Sequence, residues 1–253
     1  MARSSHDNET PMNDAVRREP TAWLWLALPL LLYLMHYPAA MLLDYAVYNR
    51  WFVSELGVTE EGTVVFVAIA LVLAALTARG FLRLGDKRLA LWFGLLALGC
   101  LYFGGEEASW GQHWFGWVTP ETWQGFNEQS ETNLHNTNSG IGGLLDQLPR
   151  NLLTLGALIA GGILPLWRRA RGRALDPAGR WYWLLPTHVC VPAGLLAGLA
   201  TVPEKLQEAL WGEPIPLDPQ LGEVKELMLG VFLFLYALSA WRRLRATAQK
   251  TAG

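Results

Sequence analysis

Apolar residues along this chain fall into six blocks that contain almost no charge. The blocks run from Thr21 to Leu43, Thr63 to Thr77, Leu89 to Phe103, Leu152 to Trp167, Trp181 to Val202 and Leu227 to Trp241. A helix needs about 20 mostly apolar residues to cross the hydrocarbon layer. The first and fifth blocks meet that length directly. The other four reach it if each helix extends about a turn into its flanks. The runs are continuous rather than alternating with period two, which disfavours a strand barrel. The pattern predicts an all-α fold: a polytopic membrane bundle of six transmembrane helices.

Polar segments complete the outline. Residues 1–20 read as a disordered tail, 21–243 as the membrane domain and 244–253 as a second tail. No basic n-region followed by a short apolar run and a cleavage site precedes the first span, which therefore reads as a retained anchor. The long interval 104–151 is expected to form a structured cap, because unstructured loops of that length are uncommon and often functional. Residues 203–221 read as a short amphipathic helix and a turn around Pro214, Pro216 and Pro219.

Charge sets the orientation. With the N-terminus placed in the cytoplasm, 16 of the 20 Lys and Arg residues fall in inner segments. Only Arg50, Arg150, Lys205 and Lys225 fall outside. Sixteen of the 22 acids do the reverse. Both termini are expected in the cytoplasm, in a bacterial inner membrane, with the functional face periplasmic. The net charge of −2 is a near cancellation between these two poles.

Composition changes the picture in two places. At 52% apolar and 17% charged, the chain is neither disordered nor an ordinary soluble enzyme, and no nucleic-acid partner is expected. Four of its 13 Trp residues, namely Trp110, Trp114, Trp117 and Trp123, lie in the cap segment beside many of its acids. Indole rings favour the membrane–water boundary, so the cap is expected on the outer surface or among the helix ends. Cys100 and Cys190 each lie within an apolar block and read as buried small hydrophobes. Gly194 and Gly198, with Ala157 and Gly161, have the spacing that lets helices approach closely, within one bundle more readily than between two copies.

Candidate chemistry concentrates in the cap. Glu106 and Glu107 end the third block and are followed by Ser109-Trp110-Gly111-Gln112-His113. If the helix continues, Glu106, Trp110 and His113 share a face. Further on, Glu131 and His135 are one turn apart on a helix, with Glu128 a turn earlier, so all three could face one metal ion. Two chemistries remain open. Carboxylate and imidazole ligands suit a divalent metal such as zinc or iron. Adjacent carboxylates at the edge of low dielectric also suit metal-free acid–base work or a proton relay. Each residue has a plainer role too, as a hydrated acid, a helix cap or a hydrogen-bonded histidine. Gln112, Asn133 and Asn136 are supporting candidates. His36, near the outer end of the first span, is either another site member or a satisfied bundle histidine.

The string Gly105-Glu106-Glu107-Ala108-Ser109-Trp110-Gly111-Gln112, with Asn127, Gln129, Glu131, Asn133, Leu134, His135 and Asn136, resembles a group of bacterial multi-span membrane proteins of uncharacterised function. That resemblance implies no activity. More weakly, Glu106-Glu107 resembles the EExxxR motif of CAAX-protease-like membrane enzymes, in which the Glu pair would supply a general base. Gly111 stands where that motif has Arg, and the later His motifs are missing. Alkaline ceramidase-like hydrolases and rhomboid proteases share only a multi-span layout with this chain.

These readings predict a membrane-embedded hydrolase acting on a lipid or another amphipathic substrate. Glu106 or Glu107 would be the base, with His113, Glu131 and His135 binding metal or orienting water. The rival expectations are an accessory subunit docking to a membrane-protein partner, and a small transporter. The transporter is disfavoured by spans with few internal charges and no evident helix breaks.

Overall fold

The computed structural model describes residues 19–125, 127, 130–134, 140–212 and 219–252. They are mostly helical, with no β-strand among the described residues. Six helical segments are long and apolar enough to cross a membrane. In chain order the elements are α1 (Trp23–Leu42), a short α2 over 45–53, α3 (Val58–Arg83), α4 (Lys87–Glu107), one-turn helices α5 (Gln112–Phe115) and α6 (Glu121–Gln124), α7 over 140–170, α8 (Trp181–Leu184), α9 (Val191–Leu199), α10 (Val202–Trp211) and α11 (Leu221–Ala252). Helices suit this setting because they satisfy their own backbone groups where water cannot.

The short apolar blocks do extend into their flanks. The second block, Thr63 to Thr77, lies inside the 26 residues of α3. α4 starts where Asp86 accepts hydrogen bonds from the backbone N–H groups of Arg88 and Leu89, a side-chain cap that satisfies two otherwise orphaned donors. The fourth span differs from its expected outline, because its helix begins at Gly140, inside the segment read as cap. The C-terminal tail also differs: α11 continues as helix through Ala252.

α11 is the central helix. It packs along α3 and α9, α3 packs along α4, and α9 packs along α7. From Leu227 to Ala237 every α11 side chain is buried. Phe81, Phe93, Val67, Met228 and Leu235 belong to one continuous core. Gly194 meets α7 closely: a Cβ there would lie 2.6 Å from the Ala157 carbonyl oxygen. The small residues therefore serve packing inside this bundle. Cys100 and Cys190 are buried free thiols within it.

The fifth span is broken, which the continuous apolar run concealed. Leu185 and Thr187 are extended on either side of Pro186, and helix resumes after a tight turn at His188–Cys190. Proline removes a donor and disfavours helix in the residue before it. The carbonyls released here find side chains: Tyr236 Oη donates to Leu184 O at 2.7 Å, and Arg168 Nη2 donates to Pro186 O at 3.2 Å.

The two ends of the bundle differ in charge. One end carries Arg79, Arg83, Arg168, Arg243 and Arg245, and there Ser239 Oγ reaches Glu19 at 2.7 Å. The other end carries Glu55, Glu60, Glu106, Glu107, Glu131 and Glu223, which surround one cavity.

Candidate functional site

The site is built where α4 ends. Glu107 is its last residue, and the chain then turns sharply through left-handed backbone at Ser109, Trp110 and Gly111, with φ of 43°, 55° and 98°. The helix does not continue as the shared-face reading required. The left-handed turn instead folds the chain back, and the one-turn α5 starts in a new direction. The indole of Trp110 still donates to Glu106 Oε1 at 2.8 Å.

Glu106 ties this turn to the returning cap segment at 130–134. Its Oε2 accepts the backbone N–H of Leu134 at 2.6 Å, so both carboxylate oxygens are engaged. Its neighbour Glu107 is only 4% exposed. Both line the cavities described below, and Glu106 also acts as a structural clasp.

Asn133 is the hub. Its Nδ2 lies 2.8 Å from Ser109 Oγ and 2.7 Å from Glu131 Oε2, and 3.4 Å from the Glu106 carbonyl. Its Oδ1 accepts from Asn127 Nδ2 at 2.8 Å. Asn127 also accepts the Glu131 backbone N–H at 3.2 Å. Gln112 fastens the next layer: its Oε1 accepts from both the backbone N–H and the hydroxyl of Thr132 at 2.8 Å, and its Nε2 donates to Thr119 at 2.8 Å.

The tryptophans act as staples. Trp114 Nε1 donates to Glu61 at 2.7 Å and Trp117 Nε1 to Thr132 at 3.1 Å, in addition to the Trp110–Glu106 bond. Each of these three indoles places its ring at the cap surface and gives its N–H to a cap or helix-end acceptor. That accounts for the density of Trp in this segment.

His113 lies between two carboxylates. Nδ1 is 3.0 Å from Glu55 Oε2, and Nε2 is 3.2 Å from Glu131 Oε1 and 2.8 Å from Ser109 Oγ. Glu131, 5% exposed, stands in irregular backbone at 130–134 rather than on a helix, so the helical pairing expected for Glu131 is not formed there. Its other expected companions, Glu128, His135 and Asn136, lie outside the described residues. Glu55 was not anticipated. The only signal for it was an acid in the loop that also leads to Glu60 and Glu61.

His36 belongs elsewhere. It is buried in the bundle, with Nδ1 3.0 Å from Tyr48 Oη, which in turn donates to Pro219 O at 2.9 Å. It is a satisfied bundle histidine that anchors α2 and the segment before α11, not a member of the Glu/His cluster.

Two cavities meet at the acid pair. A polar cavity of about 510 Å³ is lined by Glu55, Glu60, Glu106, Glu107, Glu131, Glu223, Asn49, Asn133 and Gln220, with Val53 and Ser54. An apolar cavity of about 340 Å³ runs beside α4 from Trp92 to Glu107. Pro149, Arg150 and Leu153 of α7 and Leu233 of α11 close it. Glu106 and Glu107 line both. At the same junction Arg150 pairs with Glu226 at 2.8 Å. No family model, no curated protein and no solved structure matches this chain.

Proposed function

We propose that this is a membrane-embedded hydrolase for an amphipathic substrate, with its polar site on the outward-facing side. The observation that carries the reading is the junction of the two cavities at Glu106 and Glu107. An amphiphile needs an apolar slot for its chain and a polar chamber for its head, joined where its labile bond lies. The apolar slot beside α4 suits an acyl or other hydrocarbon chain. The chamber suits a polar or cationic head, since six Glu residues line it.

In this reading Glu107 is the general base. It takes a proton from a water in the chamber, the resulting hydroxide attacks the head-group linkage, and the same carboxyl returns the proton to the leaving group. Glu106 holds the turn that aims its neighbour. Asn133 shapes the chamber wall, and Ser109 holds Asn133 in place.

The test uses purified full-length protein in detergent. Esters of p-nitrophenol with acetyl to palmitoyl chains and a panel of glycerophospholipids and lysophospholipids serve as probes, with products read by absorbance and mass spectrometry. Chain-length-dependent hydrolysis that falls at least a hundredfold in Glu107→Gln, at unchanged melting temperature, is the expected result. Absence of any product across both panels would overturn the reading.

A further inference from the structure

The structure assigns a divalent-cation centre to Glu55, His113 and Glu131, with zinc or another first-row transition-metal ion as its ligand. The three residues come from separate parts of the chain: the turn before α3, the one-turn α5 and the irregular segment at 130–134. One ligand atom from each lies within 4.8 Å of the others. Ligand atoms on a tetrahedral zinc, at bond lengths of about 2.0–2.2 Å, stand about 3.3–3.6 Å apart. His113 faces Glu55 with Nδ1 at 3.0 Å and Glu131 with Nε2 at 3.2 Å, so an ion takes one of these nitrogens and draws the farther carboxylate in to complete its shell.

A second observation concerns Glu131 alone. Its Oε2 is held by Ser109 Oγ at 3.0 Å and Asn133 Nδ2 at 2.7 Å. Its Oε1 is buried and faces His113 Nε2 at 3.2 Å without a well-formed hydrogen bond. Buried carboxylate oxygens are rarely left without a donor, because the desolvation cost is large. A cation at the centre of the cluster supplies what the protein does not. Fixing one oxygen by hydrogen bonds while presenting the other is how outer partners orient a metal-ligating carboxylate.

Electrostatics points the same way. Glu55 and Glu131 are two of six Glu residues lining the polar cavity, and among the described residues neither Lys nor Arg lines it. A divalent ion between Glu55 and Glu131 offsets the charge of both carboxylates at once. The donor set narrows the ion. An imidazole nitrogen with two carboxylate oxygens suits zinc, iron or manganese rather than magnesium or calcium, which take oxygen ligands throughout. Three protein ligands leave a four-coordinate ion one further position for water.

The centre is independent of the hydrolase reading, and its test involves no substrate. Purified full-length protein is stripped with a chelator and titrated with Zn²⁺, and bound metal is counted after desalting. Wild type is expected to hold one equivalent. Glu55→Gln and Glu131→Gln should each weaken binding at least tenfold. Glu121→Gln, an exposed acid on the same cap, should leave it unchanged. The Glu55 side chain is 53% exposed, so its variant is expected to fold and decides the matter even if Glu131→Gln does not. Absence of retained zinc in wild type, or equal affinity in folded Glu55→Gln, overturns the proposal and leaves His113 as an imidazole clasped between two acids.

Discussion

Glu106 Oε2 accepts the backbone N–H of Leu134 at 2.6 Å, closing a loop of 28 residues onto the last turn of α4. Its other oxygen takes the indole N–H of Trp110. Glu106→Ala removes both acceptors at a buried position. The expected loss is about 2–4 kcal/mol, since two donors are left without partners. It is read as a lower melting temperature in detergent together with faster proteolysis within 109–134. Unchanged melting and unchanged cleavage would show that the cap closes without this clasp.

Asn133 gives a sharper probe because its substitution by Asp is nearly isosteric. Asn133→Asp replaces an amide that donates to Ser109 and Glu131 with a carboxylate facing another carboxylate. A destabilisation of about 2–3 kcal/mol is expected. The double variant Asn133→Asp with Glu131→Gln should recover part of it, because Gln can donate where Glu cannot. Additive losses in thermal melts would argue against this contact.

The break in the fifth span makes its own prediction. Tyr236 donates to Leu184 O at 2.7 Å and accepts from Trp92 Nε1 at 2.8 Å. Tyr236→Phe leaves the Leu184 carbonyl, next to the Pro186 break, without its donor. A cost of about 1–2 kcal/mol is expected, against near neutrality for Tyr45→Phe on the exposed surface. Melting temperatures of the two variants compare them directly.

Close helix approach is tested by two glycines. A Cβ at Gly194 meets the Ala157 carbonyl oxygen at 2.6 Å and the Gly162 nitrogen at 2.9 Å, both backbone atoms that cannot swing aside. Gly194→Ala should cost about 1–3 kcal/mol. A Cβ at Gly94 meets nothing within 4 Å, so Gly94→Ala should leave stability unchanged or raise it. Equal melting shifts for the two would contradict the packing described.

The apolar cavity predicts chain-length selectivity if it holds the hydrocarbon part of a substrate. Gly99 lines it and has open space at its Cβ. Gly99→Phe should depress turnover of palmitoyl esters at least tenfold more than that of acetyl esters. Equal depression of both would place the chain elsewhere.

The sequence by itself determined the six helices and the segregation of charge, for a simple reason. A span is specified locally, by about 20 apolar residues and by the basic residues at one end, and neither depends on what the span packs against. Glu106, Glu107, His113 and Glu131 were also legible as polar groups in one segment. Their relationships were not. The left-handed turn at Ser109–Gly111 redirects the chain, so helical spacing after Glu107 misplaced its neighbours. Glu55 reaches His113 from 58 residues away in sequence, and no local period encodes that contact. The roles of Ser109 and Asn133 likewise exist only through the hydrogen bonds that close the cap. The break at Pro186 was hidden because hydrophobicity reports solvent preference, and a broken span is as apolar as a straight one. Local patterning fixed which segments enter the membrane. Only the tertiary fold decided which acids share a cavity, because convergence there depends on loop closure and helix packing.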